Sequence, residues 1–343
     1  MSITSTSRRP HVLINGFGRM GRLFLRATFD LYGPNVADHP FIIKHVNEIK
    51  GDAVTAAHLL EYDSLKGIWR THKVQAHADR QSFTVNGHLI TFSNAATIDD
   101  IPWLTEAGQV DMVVECTGKY LTKEALDRYF EHDVKKVVVS APCKFDEAVN
   151  IHHVITNASC TTNCLAPVVK VIQEHIGIDR ASFTTIHCVT NTQTIVDTAH
   201  KDLRRARSCM TSLVPTTTGS ASAISLIFPE LSGKIHGMAV RVPLLNASIT
   251  DVVFQVSRDV TVDEVNRMLS EAAVEGPLKG ILAVEGKPLV GEDFRGHTAS
   301  GIVDLQCTAV TDKRLVKVVV WYDNEQGYCW RMAELAAKVA RSM

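Results

Sequence analysis

No run of this 343-residue chain is apolar over the ~18 residues that a membrane-spanning helix needs. An excess of one charge is missing as well. Thirty-six Lys+Arg against 37 Asp+Glu leave a formal net charge of -1, and no basic block offers a nucleic acid an electrostatic footprint. Neither a membrane nor a nucleic-acid partner is therefore expected. The eight cysteines (Cys116, Cys143, Cys160, Cys164, Cys188, Cys209, Cys307, Cys329) contain no CxxC pair and no disulfide framework. Free thiols point to a reducing compartment, so a cytoplasmic location is expected. The Ser/Thr-rich stretch Met1 to Pro10, with Arg8 and Arg9, lacks the apolar middle of a signal peptide. Internal repeats are absent too. What remains is an ordinary globular balance, 45% hydrophobic and 21% charged, on a chain longer than one core usually grows, which predicts two domains.

In the first half, apolar runs alternate with helical patterns. Val12 to Ile14, Phe41 to Val46, Met112 to Glu115 and Val137 to Ser140 read as short buried strands, and Met20 to Phe29 as a helix. This alternation predicts an α/β fold built on an open, mainly parallel sheet. Asn86-Gly87, between Ser82 to Val85 and His88 to Phe92, signals a hairpin. After Asn157 a helix is expected from Cys160 to Ile176, then a strand from Ser182 to Val189 and a polar loop from Asn191 to Thr218. Ala239 to Val242, Ser248 to Val256 and Leu315 to Tyr322 suggest a mixed or antiparallel sheet, and Tyr328 to Arg341 a closing amphipathic helix.

Gly16-Phe17-Gly18-Arg19-Met20-Gly21 is a GxGxxG between a strand and a helix. Gly16 permits the tight turn, Gly18 lets the backbone approach a pyrophosphate, and Gly21 lets the helix pack on the strand. The second strand ends Val46-Asn47-Glu48. Glu48 can accept from both ribose hydroxyls and repel a 2′-phosphate, favouring NAD over NADP, although it lies further on than the usual ~20 residues. A glycine turn and a solvated carboxylate are the bland alternatives.

Asn157-Ala158-Ser159-Cys160-Thr161-Thr162-Asn163-Cys164 places a thiol at a helix start, where free N–H groups and the dipole stabilise a thiolate. His187, late in its strand, is the candidate base. On spacing alone the pair is as readily a buried thiol and a hydrogen-bonded structural histidine. A zinc site from Cys160, Cys164 and His187 is disfavoured for want of a fourth ligand. Arg204, Arg205, Arg207 and Arg241, with Thr190 and Thr216-Thr217-Thr218-Gly219, carry forks and hydroxyls suited to phosphate oxygens, though a charged surface loop would look the same.

Asn15-Gly16-Phe17-Gly18-Arg19, Ala158 to Pro167 around Cys160, His200 to Arg207 and Trp321-Tyr322-Asp323-Asn324-Glu325 together resemble the signatures of phosphorylating glyceraldehyde-3-phosphate dehydrogenase, over about Val12 to Val339. The resemblance implies a Rossmann NAD-binding domain (11–159), an α+β catalytic domain (160–327) and a C-terminal helix (328–343) returning to the first domain, in a homotetramer. It implies Cys160 as nucleophile and His187 as base. Ser159, Thr161, Thr190, Arg205, Thr218, Gly219 and Arg241 would bind the substrate phosphate and the attacking inorganic anion, phosphate or arsenate. Arg19, Met20, Glu48, Thr117, Ser140, Asn191 and Asn324 would contact NAD beside the glycines. Glyceraldehyde 3-phosphate is the implied substrate; erythrose 4-phosphate, or a catalytically impaired NAD-binding homologue with an interaction role, are the alternatives. The stretches Asn47 to Ala53 and Ala56 to Ser64 resemble a branch of the family associated with arsenate resistance.

The sequence departs from the pattern in places. Met20 and Glu48 replace the family's Ile and Asp, Thr198-Ala199 replaces Leu-Pro, Gln326 an aromatic residue and Trp330 a smaller polar one. Between Ser140-Ala141-Pro142 and the cysteine motif the family carries a strand and loop reading like VMGVN…YDP. Here the chain passes from Asn150-Ile151 straight to His152-His153, and a lost strand would leave a sheet ladder with unpaired groups.

Overall fold

The computed structural model describes residues 8–105, 109–143 and 153–343. The chain divides into two compact units, Met1–Ala158 with Cys329–Met343, and Ser159–Tyr328. Among the described residues no helix is long and apolar enough to cross a membrane.

In the first unit, Val12, Leu13, Ile14, Met112, Val113 and Val114 are fully buried, as strands covered on both faces must be. Its elements are β1 (His11–Asn15), α1 (Arg19–Tyr32), β2 (Ile42–Asn47), α2 (Ala53–Glu61), the short pair β3 (Tyr62–Asp63) and β4 (Gly67–Ile68), β5 (Val74–Ala76), β6 (Ser82–Val85), β7 (His88–Ser93), α3 (Pro102–Thr105), β8 (Met112–Glu115), α4 (Lys123–Phe130), β9 (Lys136–Val139) and β10 (Val154–Thr156). The sheet runs β10-β9-β8-β1-β2-β7-β6-β5. It is parallel from β10 to β7 and antiparallel thereafter. The β6–β7 hairpin turns on Asn86 (φ 52) and Gly87 (φ 82), the two left-handed residues that a type I′ turn requires. Strand order reverses at β1, which lies between β2 and β8. Such a switch point opens a crevice beyond the strands' C-terminal ends, and the Gly16 turn follows β1 there.

The expected gap in the ladder does not arise. β10 pairs with β9 in parallel, Val154 opposite Val137 and Thr156 opposite Val139. Val137 N–H donates to His153 O at 2.8 Å and Asn157 N–H to Val139 O at 3.0 Å. Residues leading directly into the cysteine motif thus satisfy the strand that the family's longer segment was expected to serve. The junction at Asn150 to His152 itself lies outside the described residues.

The second unit comprises α5 (Cys160–His175), β11 (Ile178–Cys188), β12 (Val214–Thr217), β13 (Ile235–Val242), α6 (Ser220–Ile227, between β12 and β13), β14 (Ser248–Val256), α7 (Val262–Val274), β15 (Leu282–Glu285), β16 (Gly301–Asp304), β17 (Ala309–Thr311) and β18 (Leu315–Tyr322). The sheet order is β12-β13-β11-β14-β18-β16-β15, with β17 on β18. β11–β13 and β15–β16 are parallel and the other pairings antiparallel, so the sheet is mixed. Along β14 burial alternates strictly, Ser248, Thr250, Val252, Phe254 and Val256 facing inward. Leu165, Val168, Val169 and Ile172 of α5 share one core with Val252, Phe254, Val318 and Val320. The loop expected from Asn191 to Thr218 is not structureless throughout. Its last residues form β12 on the sheet edge, where Pro215 is tolerated. The last helix, α8 (Gln326–Arg341), passes from the second unit into the first at Cys329.

Candidate active site

In the first unit the turn after β1 can only be built from glycine. Gly16 has φ +88, and a Cβ on it would lie 2.6 Å from Thr117 N and 2.7 Å from Cys116 C. A Cβ on Gly21 would meet Gly16 O at 2.2 Å, so the first turn of α1 rests directly on the loop. Gly18 is the N-cap of α1, and among the described residues no side chain caps that helix or puts an acid in its first turn. The positive end of the helix dipole at this N-terminus suits an anion. This cradle fits a dinucleotide pyrophosphate.

Glu48 directly follows β2, and one carboxylate oxygen lies 3.9 Å from where a Cβ on Gly18 would stand. That puts an acceptor beside the loop, as a ribose diol requires. Arg19 is held by Asp63, Nη1 to Oδ2 2.5 Å, and that contact with backbone N–H groups of Lys66 and Leu65 takes the Asp63 carboxyl down to about 2, against an opposing pull from burial. Thr117 donates through N–H (2.7 Å) and hydroxyl (2.5 Å) to Glu115 Oε1. Glu115 also accepts from Asn15 and Tyr129, and Asn47 donates to Asn15 Oδ1 at 2.9 Å. This buried network locks the C-terminal ends of β1, β2 and β8 under the glycine turn. Ser140 N–H donates to Glu115 O. Met20 and Ser140 are half-buried.

In the second unit, α5 starts at Cys160. Ser159 is its N-cap, accepting Thr162 N–H at 3.1 Å, after Ala158 has taken a left-handed φ of 52. Ala158's conformation is uncommon for a residue with a Cβ, and it marks the approach to the thiol. The parallel register of β11 with β13 sets His187 opposite Arg241. Cys160 Sγ lies 3.5 Å from His187 Nε2. His187 Nδ1 is 2.7 Å from Cys188 O and 2.7 Å from Arg241 Nη1, and Arg241 Nη1 donates to Cys188 O at 3.0 Å. Tyr322 packs edge-on to the imidazole, ring centroids 5.9 Å apart, its hydroxyl bonded to Thr161 Oγ1 and Thr185 Oγ1.

Burial sets the titration here. It takes His187 down to about 3, helped by the Arg241 charge and opposed by the Cys188 carbonyl. Burial also pushes the Cys160 thiol up, with Arg241 and the Thr161 N–H and hydroxyl pulling the other way. The helix-start contacts do favour a thiolate, but among the resting groups burial outweighs them. A thiolate at neutral pH therefore needs somewhere to send its proton, and Nε2 is the acceptor in range.

Thr216 accepts from Arg205 Nε and Nη2 at 2.9 and 2.6 Å. Burial, with Arg205 as a nearby like charge, lowers the Arg241 pKa, and among the described residues no carboxylate pairs with Arg241, whose Nε is buried without a hydrogen-bond partner. Thr218 Oγ1 is bonded to Ser220, which also meets Ser159 and Thr162. Gly219 is the N-cap of α6 and has open space where a Cβ would be. Thr190 and Asn191 are exposed, Thr190 bonded to Gln193 and Thr192. The buried Asn324 accepts the Cys188 S–H at Oδ1, 3.1 Å. Cys164 points elsewhere, to Thr250 and the Val320 carbonyl. Among the described residues no group of three His, Cys, Asp or Glu is placed to hold a metal. The sequence reading missed Ser220, the Tyr322 hydroxyl and the Cys188 carbonyl. Tyr322 stood inside the Trp321 to Glu325 motif, whereas nothing local marked Ser220.

A dinucleotide-binding unit joined in one chain to a unit carrying a thiol–imidazole pair beside two arginines defines the class, an NAD-dependent oxidoreductase. Residues 10–123 match the family profile "Glyceraldehyde 3-phosphate dehydrogenase, NAD binding domain", and residues 159–324 match "Glyceraldehyde 3-phosphate dehydrogenase, C-terminal domain". The chain is 53% identical over 343 residues to glyceraldehyde-3-phosphate dehydrogenase 3 of Nostoc sp., covering 96% of this chain and 98% of that one. It is 45% identical over 339 residues to glyceraldehyde-3-phosphate dehydrogenase of Geobacillus stearothermophilus (95% and 97% covered), and 42% identical over 343 residues to that of Streptomyces coelicolor (96% and 98%). The chain belongs to the glyceraldehyde-3-phosphate dehydrogenase family, and NAD is its cofactor.

Proposed function

We propose that this protein oxidises glyceraldehyde 3-phosphate to an acyl phosphate through a thioester on Cys160. The observation that carries the reading is the 3.5 Å contact of Cys160 Sγ with His187 Nε2, beside the Arg241 guanidinium, whose Nε is buried without a hydrogen-bond partner among the described residues. Cys160, as thiolate, adds to the aldehyde carbon and gives a hemithioacetal. His187 Nε2 takes the hydroxyl proton as the C–H bond yields its hydride. NAD, when bound, supplies the hydride acceptor. Inorganic phosphate then attacks the thioester carbonyl, and the thiolate leaves. Ser159, Thr161, Thr190, Arg205, Thr218, Gly219 and Arg241 would hold the substrate phosphate and the attacking anion. The Thr161 and Thr218 hydroxyls are engaged within the protein, so Arg205 and Arg241 are the stronger donors. Gly16, Gly18, Arg19, Met20, Gly21, Glu48, Thr117 and Ser140 would bind NAD in the first unit, and Asn191 and Asn324 are its proposed contacts in the second. Exposed apolar side chains at Ile195, Val196, Leu203 and Leu213 support association of copies into a homotetramer.

The test is NAD reduction with glyceraldehyde 3-phosphate, run with phosphate and with arsenate. Turnover that needs one of these anions is expected; NAD binding without turnover in either arm overturns the reading in favour of an impaired homologue. Arsenate matching or exceeding phosphate would support the arsenate-using branch, which the Asn47 to Ser64 resemblance favours. Replacing Glu48 with alanine removes both a charged ribose acceptor and the repulsion of a 2′-phosphate. Hydrogen bonds to charged groups contribute ~1.5–3 kcal/mol, so the NAD:NADP ratio of kcat/KM should fall about tenfold or more. An unchanged ratio would take Glu48 out of the ribose site.

A further inference from the structure

Four hydroxyls, those of Ser159, Thr162, Thr218 and Ser220, join the starts of α5 and α6, and their protons can be counted. Ser159 caps α5 directly before Cys160. β12 leads from Thr216, which Arg205 grips, to Thr218, and Ser220 opens α6. Ser220 Oγ accepts the Thr162 hydroxyl at 3.2 Å and the Thr218 hydroxyl at 3.1 Å. These donors fill both its lone pairs, so its own proton goes to the remaining partner, Ser159 Oγ at 3.2 Å. Ser159 Oγ also accepts Thr162 N–H at 3.1 Å, and its proton goes to Thr162 Oγ1 at 2.7 Å. Ser159, Thr162 and Ser220 thus close a ring in which each hydroxyl donates to the next, with Thr218 donating into it. Thr218 Oγ1 in turn accepts Ser220 N–H at 3.3 Å. Ser220 and Thr162 are buried, whereas Ser159 and Thr218 are half-buried. Every hydroxyl proton of the knot is turned inward, including those of the two residues proposed to meet an anion.

We infer that Ser220 weakens the anion site by holding back the Ser159 and Thr218 protons, so that inorganic phosphate is held chiefly by the Arg205 and Arg241 cations. To gain either neutral donor, the phosphate must first break a hydroxyl bond inside the protein. This rests on the proposed anion site, in which Ser159 and Thr218 stand, and makes Ser220 a positioning residue that acts through them. The direction follows from the count. Without the Ser220 oxygen, the Thr218 hydroxyl loses the acceptor of its proton. The Ser159–Thr162 pair, where either oxygen can donate, then turns so that Thr162 donates to Ser159 and the Ser159 proton is released. Each internal bond that the phosphate no longer has to break is a neutral one, for which a gain of about fivefold in affinity is the expected scale.

The experiment is calorimetric titration of inorganic phosphate into the NAD-loaded full chain, parent against Ser220→Ala, with the KM for phosphate measured alongside. The substitution deletes a single atom, and a melting curve checks that the fold is kept. Ser220→Ala should bind phosphate about fivefold more tightly and lower its KM in step, without a matching fall in the KM for NAD. Adding Thr218→Val removes one of the released donors and should return part of the gain. A knot that merely braces the start of α5 predicts the opposite sign, since loosening it would weaken binding. Phosphate held by the parent but equally or less tightly by Ser220→Ala therefore overturns the inference and spares the anion site. A gain that Thr218→Val leaves undiminished overturns it too. Phosphate binding to neither protein overturns the anion site itself, and the inference with it.

Discussion

Changing Cys160 to serine is expected to lower kcat/KM by about 10⁴-fold or more, the scale seen when a covalent nucleophile is removed. The side chain changes by one atom at a half-buried helix start, and the cap that Ser159 provides to Thr162 is untouched, so the fold should persist. What is lost is chemical. A hydroxyl ionises far less readily than a thiol, and the same burial that raises the Cys160 thiol would disfavour an alkoxide still more. The second half of the reaction suffers as well, since phosphate must displace the enzyme from an acyl group and an oxygen ester is a poorer acyl donor than a thioester. The measurement pairs steady-state turnover with NAD binding by fluorescence and a melting curve. Near-normal NAD affinity and Tm with turnover abolished is the expected result. Less than about a 100-fold loss would remove Cys160 from the covalent step.

The parts of this arrangement that were legible in the sequence are those fixed by local physics. β1, β8 and α1 announce themselves because a doubly covered strand must be apolar throughout and a surface helix apolar on one face. The glycine turn is legible because at Gly16 and Gly21 a Cβ would collide with backbone, which leaves no other residue. β12 was hidden because its Val-Pro-Thr-Thr is polar and proline-bearing, acceptable only on an edge. Cys160 and His187 were legible as candidates, but their meeting is tertiary: the first residue of α5 has to face the end of β11. The position of Arg241 against His187 follows from the parallel register of β11 and β13, and no spacing along the chain encodes a register between strands so far apart. Ser220 is the clearest case. Its hydroxyl links Ser159, Thr162 and Thr218, yet it sits among small residues with no pattern of its own.

Replacing His187 with asparagine should cost about 10²–10⁴-fold in turnover at neutral pH, the usual contribution of a positioned general base. Its pH dependence is the more telling outcome. Burial holds the resting imidazole near 3, so it is unprotonated across the working range, and it takes up a proton there only as the thiolate forms 3.5 Å away beside it. The thiol, by contrast, is held up by burial, so without the imidazole it must ionise into solvent. A raised thiol means that the reactive form is gained as pH rises, with its midpoint above the ordinary cysteine value. The variant's kcat/KM should therefore climb continuously toward alkaline pH, while the parent levels off earlier because Nε2 receives the proton internally. The deficit shrinks as pH increases, and alkylation of Cys160 by neutral iodoacetamide should follow the same curve. Profiles of both quantities from about pH 6 to 10 decide it. Parallel profiles with a constant offset would mean that His187 orients the substrate and does not move the proton.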